Sequence, residues 1–131
     1  MPYDTEFIDE GSGILHVGQG VLTGREIIEA MKGLATDPQS LESITHGLID
    51  LTEVAEFRVS MDELQIILDI DRQSSKVIRR ARVAIAASED LLFGTSRMYA
   101  GMMHTPGWTI EVFRMMDQAR AWLYSHHPTE A

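Results

Sequence analysis

A chain of 131 residues without cysteine has the size of one domain, able to bury roughly two thirds of its unfolded surface, and it excludes disulfides, thiol nucleophiles and cysteine-ligated zinc or iron–sulfur sites. Eleven basic residues against twenty acidic ones give a net charge of −9, which repels nucleic acid and anionic membrane over most of the surface. The opening Met1-Pro-Tyr-Asp-Thr-Glu6 has neither a basic region nor an apolar run, and no later apolar stretch reaches bilayer-spanning length. A soluble cytoplasmic protein without a signal peptide is expected.

Residues 3 to 9 and 14 to 17 read as two strands joined by Glu10-Gly11-Ser12-Gly13, whose glycines suit the tight turn of an antiparallel hairpin. Thr23-Gly-Arg-Glu26 has the spacing of a capping box and opens a helix. Its apolar stripe is Ile27, Met31 and Leu34, with Ile28 and Ala35 beside them, and Asp37-Pro38 ends it. Ile44 to Leu51 is the central strand, with the unbroken apolar pair Leu48-Ile49 of a strand covered on both sides. A short polar bend follows, and Ser60 caps a helix running into the low seventies with Met61, Leu64, Ile67 and Leu68 on one face and Asp62, Glu63, Asp69 and Asp71 mostly elsewhere. Arg82 to Ala87 is a second short buried strand.

Ser88-Glu89-Asp90 caps the next helix, with inner face Leu91, Leu92, Thr95, Met98, Tyr99, Met102 and Met103. After the turn at Thr105-Pro106-Gly107, Trp108 to Phe113 alternates as an edge strand. Met116 to Leu123 forms the last helix, before a polar tail from about residue 125 that includes His126 to Ala131. A hairpin followed by alternating strands and helices predicts a single α/β domain over residues 1–131, with a mixed, mostly parallel sheet of about five strands and about four helices.

That order, together with Asp50-Leu51-Thr52-Glu53-Val54 after the central strand and Val112-Phe113 followed by Ala119-Arg-Ala-Trp-Leu123, resembles the STAS superfamily, and especially its SpoIIAA-like branch of small bacterial proteins. The resemblance covers nearly the whole chain. It implies a non-enzymatic regulatory or interaction domain that acts through a protein partner in the bacterial cytoplasm. Antagonists of the superfamily carry a phosphorylatable serine in a D-S-S-G-L helix start, and Ser60 falls on the second serine of that pattern. This chain has Arg58-Val59-Ser60-Met61 there, so the acid, one serine and the glycine are absent, and a kinase that reads that loop would meet a different surface. The implied partner or phosphorylation surface is Glu53, Glu56, Arg58, Ser60 and Asp62; an N-cap role explains Ser60 equally. CRAL-TRIO lipid-binding domains are similar in fold to the STAS group.

Other features of the sequence also have plain structural readings. Gly18-Gln-Gly20-Val-Leu-Thr-Gly24 followed by Asp50 is a weak variant of a nucleotide-binding loop. A flexible strand exit explains the same glycines. His16, His46, His104, His126 and His127 lack metal-site spacing, and no G-x-S-x-G elbow exists; no catalytic residue, cofactor or metal is expected. Arg72, Lys76, Arg79, Arg80 and Arg82 concentrate five of the eleven basic residues, as a helix C-terminus favours. Eight methionines, several of them near Tyr99 and Trp108, define a region for an apolar or lipid-like small molecule at Met98, Tyr99, Met102, Met103 and Trp108, with ordinary core filling as the alternative. The edge strand at 108–113 could pair two subunits into a homodimer.

Overall fold

The computed structural model describes residues 3–125, so the tail of the sequence from Met1-Pro2 and His126 outwards lies outside the described residues. Strand β1 (Tyr3–Ile8) pairs antiparallel with β2 (Gly13–Thr23) through a single 3-10 turn at Asp9–Gly11. Asp9 and Glu10 both take positive φ in that turn, and Asp9 is tethered there because its carboxylate accepts from the Tyr124 hydroxyl at 2.6 Å and pairs with His46 Nε2 at 2.6 Å. Helix α1 (Gly24–Ala35) starts at the expected capping box: Glu26 N donates to Thr23 Oγ1 at 3.3 Å and Thr23 N to Glu26 Oε1 at 3.0 Å.

The sheet has five strands in the order β1-β2-β3-β4-β5, with β3 (His46–Arg58) in the middle, β4 (Ala81–Ala86) beside it and β5 (Trp108–Phe113) at the edge. All pairs from β2 onward are parallel. Helices α3 (Met61–Ser74), α4 (Asp90–Met102) and α5 (Met116–Tyr124) complete the α/β layering, with the short α2 (Pro38–Glu42) between α1 and β3. On one face α5 packs closely against the small Ala84 and Ala86 of β4, which meet Leu48, Ala119 and Leu123, while Arg82 of the same face lies over the Trp122 ring. The other face carries α1, α3 and α4 over Ile14, Leu51, Val83 and Ile85.

Several local expectations are corrected. The polar bend after Leu51 is strand: β3 runs on to Arg58 because Glu53 to Arg58 pair with Gln19 to Thr23. The glycine-rich stretch from Gly18 is therefore not a loop either, and its amides serve a ladder interrupted by two register shifts, with Gly20 at φ +61° beside the second. Asp37-Pro38 ends α1 and also starts α2, since Asp37 caps Ser40 and proline suits a first helical turn. Ser88 does not cap α4; its hydroxyl donates to the Arg114 carbonyl, and Glu89 holds the cap position without a side-chain bond. Leu91 and Met98 are exposed, Leu91 at 72%, because the inner stripe of α4 runs through Leu92, Ser96, Tyr99 and Met103 instead; Met61, at the first turn of α3, is exposed as well, and the buried stripe of that helix is Leu64, Ile67 and Leu68.

Candidate functional site

Helix α3 is held mainly by α1 and α4 and makes at most marginal contact with the sheet. The gap beneath it is a cavity of about 170 Å³, partly open to solvent and walled chiefly by apolar side chains. The register of the parallel strands builds its floor. His16, Ile49, Ile85 and Val112 form one row across the sheet, and Ile14, Gly47, Val83 and Ile110 the next. Gly47 leaves that second row without a side chain in mid-sheet, and a Cβ there would meet its nearest atoms only at 3.9 Å. An empty place in the middle of a strand is a local loss of packing, and here it opens the floor of the cavity.

The polar groups of the wall gather around the inner face of α3. Asp71 sits one turn beyond Ile67 and Leu68, on the stripe turned to the sheet, and accepts a short hydrogen bond from the Tyr99 hydroxyl through Oδ2. Burial pushes the Asp71 carboxyl up to about 7, with the Tyr99 bond opposing. Burial, followed by the nearby Asp71 carboxylate, raises both Tyr3 and Tyr99 above the ordinary phenol range, so these three groups form one cluster. Tyr3 stacks on His16 with ring centres 5.2 Å apart and planes within 11°. His16 Nδ1 is 2.8 Å from Thr5 Oγ1, and burial lowers the imidazole to about 4, which leaves it neutral at physiological pH. Among the described residues, the second Asp71 oxygen, the Tyr3 hydroxyl and His16 Nε2 have no hydrogen-bond partner. None of them is sealed off from water-sized space.

The residues singled out from sequence fall in three places. Tyr99 and Trp108 line the cavity, Trp108 held by its indole N–H donating to the Ile78 carbonyl at 2.6 Å. Met98 is 40% exposed, while Met102 and Met103 pack with Leu64 and Leu68 and do not themselves line the cavity. Glu53, Glu56, Arg58, Ser60 and Asp62 share the far end of β3 and the start of α3, all exposed except for the local ties of an Arg58–Glu56 ion pair and the Ser60 cap. In that cap Glu63 N donates to Ser60 Oγ at 3.1 Å and Ser60 N to Glu63 Oε1 at 2.9 Å. Asp50 is engaged locally, accepting from Thr52 N and Oγ1. Of the basic segment, Arg72 donates to Asp69 and the Met102 carbonyl, and Arg82 lies 3.9 Å from the Trp122 ring centre. Among the described residues no three His, Asp or Glu side chains are grouped to hold a metal ion, and no helix is long and apolar enough to cross a membrane.

Sequence reasoning missed Tyr3, His16, Gly47 and Asp71. Their signals were a carboxylate at i+7 from Leu64 on an otherwise apolar helical stripe, and a glycine inside the central strand. No family model and no curated protein matches the chain. Among solved structures it is similar to an uncharacterized protein of the DUF3478 family with a SpoIIAA-like fold from Shewanella loihica PV-4. That likeness has 26% identity over 92% of this chain and 91% of the other, at a TM-score of 0.59. The class is therefore a single α/β unit with the STAS or SpoIIAA-like fold. The sequence resemblance and the observed topology agree on it.

Proposed function

We propose that this protein is a non-enzymatic binder of a small, largely apolar molecule, held between the sheet and helices α1, α3 and α4. The observation that carries the reading is the cavity of about 170 Å³ floored at Gly47. An engineered apolar cavity of about 150 Å³ holds benzene, so the fitting body is one ring or its aliphatic equivalent. A cytoplasmic location belongs to the same reading. Isothermal titration with toluene is expected to show saturable one-to-one binding. Gly47→Ile should abolish it while keeping a cooperative thermal transition, because the added side chain occupies the open floor and improves strand propensity. Absence of saturable binding by toluene and by its polar counterparts of the same size would refute the reading.

A second reading, a regulatory domain acting through a protein partner, is supported by the length of β3. Its residues 51–58 run beyond the β4 pairing, which ends at Asp50, and carry exposed Glu53, Glu56 and Arg58 toward Ser60 and Asp62. A strand with an open side offers main-chain groups to a partner. Intact-mass measurement on protein purified from its own cells tests the switch form of this reading: a phosphate that disappears in Ser60→Ala supports it, and an unmodified mass counts against it.

A further inference from the structure

The cavity reading leaves the ligand's polar group unspecified, and the wall chemistry narrows it. Asp71 is the only carboxylate among the described cavity-lining residues, and no described lysine or arginine joins it. The nearest cation along its helix, Arg72, is turned to Asp69 and to the Met102 carbonyl. One Asp71 oxygen takes the Tyr99 hydroxyl, and the other has no partner among the described residues. The titratable groups facing it are Tyr3 from β1 and Tyr99 from α4, with His16 from β2 stacked on Tyr3; none of these is a cation at neutral pH. The second lining histidine, His46, is committed to Asp9. The site is thus an acid without its counter-charge, set among aromatic rings.

From this arrangement we propose that the cavity selects a small apolar primary amine, its ammonium group paired with the free oxygen of Asp71 and its body in the apolar chamber over Gly47. An alkylammonium keeps its proton at neutral pH, as a lysine side chain does. It offers three donors to Asp71 and its neighbours. The Tyr3 and Tyr99 rings add cation–π attraction. An anionic ligand such as a carboxylate meets the opposite situation, since a second negative charge in a largely apolar, half-open site with no cation beside it is unpaired. A neutral alcohol satisfies the hydrogen bond without compensating the charge.

The inference rests on the cavity reading, and four probes with one body separate the two: toluene, benzyl alcohol, benzylamine and benzoate, titrated calorimetrically at pH 8, where Asp71 is ionised. Benzylamine is expected to bind at least about 10-fold more tightly than benzyl alcohol, a difference of about 1.4 kcal/mol, with benzoate weakest. In Asp71→Asn, checked for folding by its thermal transition, the amine should fall to within about two-fold of the alcohol, the ion-pair contribution being gone. Lowering the pH toward 5 in the unaltered protein should erode the amine's advantage by the same route, and this measurement stands even if the variant fails to fold. Toluene and benzyl alcohol binding with benzylamine no tighter, or an amine preference that survives both Asp71→Asn and acidification, would overturn the amine assignment alone. Failure of all four probes would remove the cavity reading with it.

Discussion

Asp71 concentrates the chemistry of this molecule at one residue. Its carboxyl is raised from 3.8 to about 7 chiefly by burial, so the folded state holds a proton that the unfolded chain releases near pH 4. Between those values the native state binds more protons, and stability is present at low pH and lost as pH rises through about 7. His16 acts in the opposite sense, because burial lowers it from 6.5 to about 4: the unfolded chain takes up its proton first, and stability grows as pH rises across that interval. The two slopes oppose each other over most of the acid range, which hides both in a simple pH scan. Comparing Asp71→Asn with the unaltered protein isolates one of them. The variant should be more stable at pH 8 by on the order of 4 kcal/mol, with the gain vanishing near pH 4, as read by urea denaturation at both values. A gain independent of pH would show that Asp71 is not the titrating group.

At the level of elements, the starts of α1 and α3 are where sequence and structure agree best. The capping box of Thr23 with Glu26 is formed as its spacing predicts, and Ser60, expected as an N-cap, forms a second one with Glu63. Ser60→Ala removes one half of the second and should cost about 1 kcal/mol in chemical denaturation, with no modification of the serine required. The junction between β4 and β5 depends on Gly107, whose φ is +89° and whose carbonyl accepts from Ala81 N at 2.9 Å. A Cβ there would lie 2.1 Å from the Arg79 carbonyl oxygen. Because that obstacle is backbone and cannot swing aside, Gly107→Ala should cost about 3 kcal/mol or more, measured as a shift of the urea midpoint. The elements misread from sequence are the extension of β3 and the second half of β2. Each reads as polar loop taken singly, since Glu53, Glu56 and Arg58 are exposed and Gly18 and Gly20 favour bends. They become strand only because each is the other's hydrogen-bonding partner.

For the whole molecule, the cavity is a standing cost. Unfilled volume in a closed core destabilises it by about 24 cal/mol per Å³; this space of about 170 Å³ is partly open to solvent, so it carries a fraction of that cost. A ligand that enters it should return part of that stability. At 100 times its dissociation constant it adds about 2.7 kcal/mol, visible as an upward shift of the thermal midpoint that Gly47→Ile no longer shows. The sequence by itself determined the α/β class, the hairpin, the order of the main strands and helices and the caps at Thr23 and Ser60, because those depend on periodicity and on contacts three or four residues apart. It also marked Tyr99 and Trp108 near a region of interest. Tertiary structure alone decided that Met98, Met102 and Met103 lie off the cavity while Tyr3, His16, Gly47 and Asp71 line it. Those four come from β1, β2, β3 and α3, and only the sheet register and the stand-off of α3 bring them to one place.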